Sequence, residues 1–196
     1  MMELKAKATD TIASGLITSP GSSEGVKATG RFVIECYDKD GKIKWIDESK
    51  NLVVNVGLQY MAGSALTSTA QITTWYVGLY GAGASNTPAA TDTMSSHAGW
   101  TEVTDYSEST RVAATFAAAT LPTGSGNPSV VTNSASKAQF TMNATTTVGG
   151  AFLTSGSAKG GTTGTLFSAK DFDSPGDRSV VSGDVVLVTY TFSLSA

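Results

Sequence analysis

One stretch limits the fold more than any other. It is "RFVIECYDKDGKIKWIDESKNLVVN", residues 31–55. In "RFVIECY", Phe32, Ile34 and Cys36 share one face, and Arg31, Val33, Glu35 and Tyr37 share the other. A period of two marks a strand with one buried side. "DKDGK" follows, and its Asp40-Gly41 pair tolerates a tight reversal. "KIKWID" then alternates again, placing Ile43, Trp45 and Asp47 together and Ile46 beside a polar row. Two alternating runs around such a turn predict a β-hairpin.

The rest of the chain repeats the theme. "TTWYVGLYG" is apolar on both faces, as a central strand must be. "WTEVTDYS", "TRVAATFAAA", "SKAQFTMNA", "TVGGAFLTS", "GTLFSAKDF" and "GDVVLVTYTFSLS" all read as strands, and Gly149-Gly150 predicts a bulge or a close backbone approach. In the last strand Val186, Val188, Tyr190 and Phe192 share a face. Leu52, Val56 and Tyr60 keep helical spacing, so a short helix is expected from Val56 to Leu66, with Gly57 and Gly63 against it. Ser and Thr make up about a quarter of the chain, Gly adds 21 residues, and charged residues are only 15%. That composition favours strands and turns over helices. Eight to ten strands of this kind predict an all-β fold, a two-sheet β-sandwich of jelly-roll-like or immunoglobulin-like topology. Residues 1–28 carry no sustained period and contain the linker-like "TSPGSSEG". They are expected to form a flexible or extended N-terminal arm, leaving 29–196 as a single domain.

Bulk properties exclude several functions. With 196 residues and a net charge of −3, the chain lacks the clustered basic residues that bind phosphate backbones, so no nucleic-acid partner is expected. Cys36 and His97 are the only soft ligands. An intrachain disulfide and a thiolate metal site are both excluded, and no metal or cofactor is expected. No secretion signal and no membrane-length apolar run is read, so the expected place of synthesis is the cytoplasm, with no membrane partner.

The stretch that most resembles a site is "SSHAGWTEVTDYSESTR", Ser95 to Arg111. His97 is the only imidazole, but serines adjacent in sequence rarely present their side chains to the same point, and no G-x-S-x-G elbow occurs. Glu102, Asp105 and Glu108 are three apart, a spacing that sends strand residues to opposite faces instead of converging them on a substrate. They read as solvent-facing acids, with Arg111 as a weak surface partner. Asp171, Asp173 and Asp177 in "DFDSPGD" have the oxygen richness of a calcium loop. Gly176 fits its sixth position, but Ser182 stands where the twelfth needs Glu, so a Pro-Gly turn is expected. "KGGTTGT" lacks the order of a phosphate loop and is expected to be a flexible turn between strands. Trp45, Trp75 and Trp100 sit in strand-like contexts and are expected in the core, not on a sugar-binding platform. No catalytic residue is assigned.

Six stretches together, "NLVVNVGLQYMA", "WYVGLYG", "DTMSSHAGWTEVTDYSESTRVA", "NSASKAQFTMNATTTVGGAFLTS", "KGGTTGTLFSAKDF" and "RSVVSGDVVLVTYTFSLS", resemble a group of small structural proteins of tailed bacteriophages. The resemblance spans roughly residues 30–196. It implies a non-enzymatic virion component, most simply a capsid decoration (cement) protein on the outside of the head. Such a protein acts as a trimer or dimer that bridges subunits of the major capsid protein. A tail, fibre or adaptor component is the alternative within the same resemblance. A carbohydrate-binding module and an enzyme built on the acids around Glu102 remain as readings outside it.

Overall fold

Strands β1 (Lys27–Tyr37) and β2 (Ile43–Val53) form the hairpin that the alternation predicts. The computed structural model describes residues 25–81, 87–123, 126–173 and 176–195. Residues 1–24 of the expected arm lie outside the described residues, and Lys27 and Ala28 already belong to β1. Phe32, Ile34 and Cys36 are each no more than 1% exposed. The Asp38 carboxylate accepts from the amides of Asp40 and Lys42 and ties the turn. Ile43 departs from expectation. Cys36 pairs with Trp45 and Tyr37 with Ile43, so Lys44 is an extra residue on β2. Such a bulge resets the alternation, and Ile43 leaves the face of Trp45 for solvent.

After β2 come α1 (Asn55–Leu66), β3 (Trp75–Gly81), β4 (Glu102–Val103), β5 (Val112–Ala114), β6 (Ser129–Thr132) and β7 (Ala138–Thr141). Then β8 (Thr146–Thr154), β9 (Leu166–Asp171), β10 (Arg178–Val180) and β11 (Val185–Ser195) complete the chain. Every strand pair is antiparallel, and the eleven strands make one sheet, eight of them in the order β4-β3-β8-β9-β2-β1-β11-β6, with β5 also on β3, β10 on β8 and β7 on β11. The all-β class with one short helix therefore holds.

The single sheet is continuous through β2, which joins its two halves. Ile43 to Asn51 pair with β1, whereas Leu52 and Val53 pair with β9. The half containing β1 and β11 and the half containing β3 and β8 share one core, with Phe32, Val188 and Tyr190 meeting Val77, Leu79 and Leu153. Phe167 on β9 meets Phe192 on β11 edge-on, with ring centroids 5.3 Å apart. Strand β3 is interior, between β8 on one side and β4 and β5 on the other. Its second face is buried too. Tyr80, Phe152, Leu166, Met94 and Trp100 form a separate cluster there, roofed by the loop that leads into Trp100.

The Gly149-Gly150 expectation is met twice. Tyr80 pairs with Gly150 and Gly81 with Val148, so Gly149 is the bulged residue. A Cβ on Gly150 would lie 2.1 Å from the Lys170 carbonyl oxygen, so the close approach is real as well. Two expected strands are much shorter than read. "WTEVTDYS" keeps only Glu102 and Val103, and "TRVAATFAAA" only Val112 to Ala114. Each occupies part of one side of β3, which the two share. Beyond Ala114 the backbone leaves β3, and the amides of Ala117 and Thr120 bond the carbonyls of Thr132 and Val130 instead.

The helix has no acid in its first turn, no base in its last and no side-chain cap. Its stability must come from its seat on β9. Gly57 is the point of contact, since a Cβ there would lie 2.4 Å from the Phe167 carbonyl oxygen. This generates a test of sign. Helix propensity alone makes Gly57→Ala stabilising by ~0.5–1 kcal/mol. The clash with rigid strand backbone reverses this, giving a net loss of roughly 1–3 kcal/mol in urea unfolding. A more stable variant would mean that the helix does not seat on β9 as described.

Candidate functional site

The loop around His97 is built to cover Trp100. The His97 ring stacks on the indole with centroids 3.9 Å apart, and Nδ1 lies 2.9 Å from the Trp100 carbonyl oxygen. Trp100 is only 2% exposed, and its Nε1 donates to Asp92 Oδ2 at 3.0 Å. The same Asp92 oxygen accepts from the Ala89 amide. The neighbouring serines turn elsewhere: the Ser96 amide bonds Thr93 Oγ1, and Ser95 Oγ faces Thr93 Oγ1. The imidazole thus has an orienting carbonyl and an aromatic partner, without a nucleophile in hydrogen-bond reach among the described residues.

Arg111 overturns its surface reading. It is 1% exposed, and the Glu102 side chain is 7% exposed. Its Nε donates to Glu102 Oε1 at 2.8 Å and its Nη2 to Oε2 at 2.7 Å, a bidentate fork. Nη1 donates to the Gly156 carbonyl at 2.9 Å and Nη2 also to the Gly161 carbonyl at 2.6 Å. The Gly160 amide donates to Glu102 Oε2 at 2.8 Å. The face of Phe152 lies under the guanidinium, 5.2 Å from its centre. "KGGTTGT" is therefore neither a phosphate cradle nor a free turn. It is folded around a buried guanidinium. Lys159, next in the same loop, lies 3.9 Å from the Tyr106 ring centre and donates to the Tyr106 carbonyl at 2.7 Å.

The three acids of the stretch are only half exposed at most, and they do separate work. Glu108 accepts the Thr141 amide on both oxygens at 3.1 Å, which ties the loop to β7. At Asp105 it is the backbone carbonyl that works, accepting the Asn143 amide. Glu102 has both oxygens engaged by Arg111 and Gly160. Its side chain is 7% exposed, and the bidentate arginine holds it as part of the loop scaffold.

The aspartates of "DFDSPGD" do not converge on a cation. Among the described residues no group of three or more His, Cys, Asp or Glu side chains could hold a metal ion. Asp173 pairs with Lys170 at 2.7 Å. Asp171 lies near the buried Tyr80 hydroxyl, and burial, with the nearby Asp177 charge, raises its carboxyl pKa. The Gly176 amide bonds the Asp173 carbonyl at 2.8 Å, and the expected Pro-Gly turn falls in part on residues 174–175, which lie outside the described residues. Of the tryptophans expected in the core, Trp100 is buried, whereas Trp45 and Trp75 are half-buried and pack against the core from its edge. Trp45 packs edge-on to Phe172, Trp75 on Phe167 and Tyr60, and Trp100 on Tyr80 and Phe152. Trp75, Phe116, Phe167 and Phe192 line a hollow of about 120 Å³ between the two halves. It lacks the convergent polar groups that orient a substrate.

The strongest polar feature that the sequence does not announce is the inner face of β2. Asp47 and Ser49 are buried at 5% and 3% exposure. Arg178 Nη2 and Ser49 Oγ donate to Asp47, and burial, partly offset by Arg178, raises its carboxyl pKa. Asn51 Nδ2 and Ser168 Oγ both donate to the Tyr190 hydroxyl, at 3.0 and 3.2 Å. Nearby, Asp184 accepts Lys44 and the Val181 amide and lies beside Cys36. Burial first, and then the Asp184 charge, pushes the Cys36 thiol up to about 12. Alternation placed Asp47 on this face. Its partner Arg178 is 131 residues away, and no local signal joins them.

No protein-family model, no curated protein and no solved structure matches the chain.

Two tests follow from this geometry. Arg111→Met leaves Glu102 buried without its counter-charge, and the denaturant midpoint should fall by the equivalent of roughly 3–5 kcal/mol. Adding Glu102→Gln should restore part of that loss but not all, because the Gly156 and Gly161 carbonyls stay unpaired. Cys36, neutral and fully buried, should resist iodoacetamide at pH 8 in the folded protein and react on unfolding. Rapid native-state alkylation would contradict the closed core.

Proposed function

We propose that this chain is a structural component of a tailed-phage virion, a decoration protein bound to the outside of the head. The observation that carries the reading is where the phage-like stretches meet. "DTMSSHAGWTEVTDYSESTRVA" supplies Arg111 and Glu102, and "KGGTTGTLFSAKDF" supplies the Gly160 amide and the Gly161 carbonyl that complete their bonds. What resembles the phage group is thus a bonded scaffold in which the candidate acids and the arginine hold loops in place. Such a scaffold suits a mechanical role.

The partners are the major capsid protein and further copies of the chain itself, as a trimer or dimer. Each contact can be weak. Repetition by the symmetry of the shell multiplies it and raises the force needed to separate capsid subunits. The outer face of the β1–β2 hairpin offers suitable material, with Ile43 and Ile46 about half exposed and the Arg31–Glu48 ion pair further along the same hairpin. Cryo-EM of the particle that carries the chain tests the reading. Density at every equivalent position on the shell exterior is the expected result. Density confined to the tail or to a single vertex would overturn it in favour of a tail, fibre or adaptor role.

A further inference from the structure

The hollow between the two halves has walls that do not close on one another. Trp75, Leu153 and Phe167 line it from β3, β8 and β9, and Val131, Tyr190 and Phe192 from β6 and β11. Its rings meet edge to face. Trp75 and Phe167 stand at 65° with centroids 5.2 Å apart, and Phe167 and Phe192 at 77° and 5.3 Å. Rings set this way do not stack flat, and about 120 Å³ is left between them. The remaining wall is Phe116, edge-on to Tyr190. It is held by backbone, since the Ala117 amide bonds the Thr132 carbonyl at 2.9 Å and the Thr120 amide bonds the Val130 carbonyl at 3.0 Å. Leu153, Phe167 and Tyr190 are buried, whereas Trp75, Phe116, Val131 and Phe192 are half-buried. The hollow therefore has a floor in the core and a mouth at the surface.

Its chemistry is narrow, because the lining is almost wholly apolar. The Tyr190 ring forms part of the floor, but its hydroxyl is taken up by Asn51 and Ser168, which donate to it at 3.0 and 3.2 Å. A water held inside needs roughly two to four polar partners, and this lining does not supply them. An apolar cavity of about 150 Å³ stays dry and takes benzene or xenon, and the hollow is of the same order. We propose that it is a binding site for one small apolar molecule, the size of a single aromatic ring. The ring faces on its walls suit the edge of such a ligand. Charged or strongly hydrogen-bonding groups are rejected, because nothing in the hollow pairs them. The walls come from both halves, so an occupant adds contacts across their interface and stabilises the folded chain. This inference is independent of any role on a particle.

Benzene is the probe, titrated into the full chain and followed by carbon–proton methyl spectra. The Val131 and Leu153 methyl resonances should move together and saturate, while those of the exposed Ile43 stay in place. The melting temperature should rise as benzene is added. Val131→Phe fills the hollow from its half-buried wall. It should weaken binding, read at the Leu153 methyls, on the order of tenfold or more. If Val131→Phe does not fold, Val131→Leu decides, with a severalfold loss. Shifts at Val131 and Leu153 that never saturate, or that match those of Ile43, overturn the proposal. Saturable binding that a folded filling variant leaves intact overturns it as well, since the ligand would then sit elsewhere.

Discussion

A guanidinium removed from water has to find all of its hydrogen bonds inside the protein, and much of this structure is arranged around that requirement. Arg111 follows the short loop after β4 and precedes β5, where it reaches Glu102 behind it and the 156–161 loop across from it. The loop must bring two carbonyls and one amide to fixed points. The glycines of "KGGTTGT" allow that backbone to come close. The ion pair itself is weak evidence for net stability, because desolvating both charges costs about what their attraction returns. What it supplies is direction. Four donors on a planar fork accept one arrangement of partners, so β4, β5 and the loop after β8 are fixed relative to one another.

The same logic recurs where the two halves of the sheet meet. Hydrophobic contact is non-directional, and a purely apolar interface would let two faces slide. Here polar bonds cross the interface at chosen points. Arg178 on β10 reaches Asp47 on β2, and Ser168 on β9 reaches Tyr190 on β11. Asn51, at the place where β2 changes partners, bonds that same tyrosine. The polar row on the inner face of β2 therefore sits where a strand serving both halves needs groups that can be bonded from either side.

How much of this is legible in the sequence depends on the range of the interaction. The helix lies where expected, but Leu52 of its supposed apolar row belongs to β2 and only Gly57 is buried. The β1–β2 hairpin and the inward face of β11 rest on periodicity and local turn chemistry, so the residues themselves announce them. The Gly149-Gly150 bulge is legible for the same reason. Burial of charge is not. Nothing within several residues of Arg111 distinguishes a guanidinium inside the protein from one on its surface, because the carbonyls that satisfy it come from 45 and 50 positions further on. The short β4 and β5 are a related failure. Their sequences alternate well enough for longer strands, but each shares one side of β3 with the other, and space along a partner strand is a property of the whole sheet.

A structure held in this way resists shear more than it accommodates motion. Its apolar clusters set the layers, and its buried polar bonds set their register, so sliding one half over the other breaks several directional bonds together. In the polar stretch from His97 to Arg111, carbonyls, amides and an indole already engage the charged and polar side chains. For a protein that works by transmitting load between neighbours, the same stiffness is the useful property. It also locates where change can occur. The pairing of β2 changes at Asn51, where it leaves β1 to join β9, so the strand that unites the two halves is also the place where the β1 edge opens.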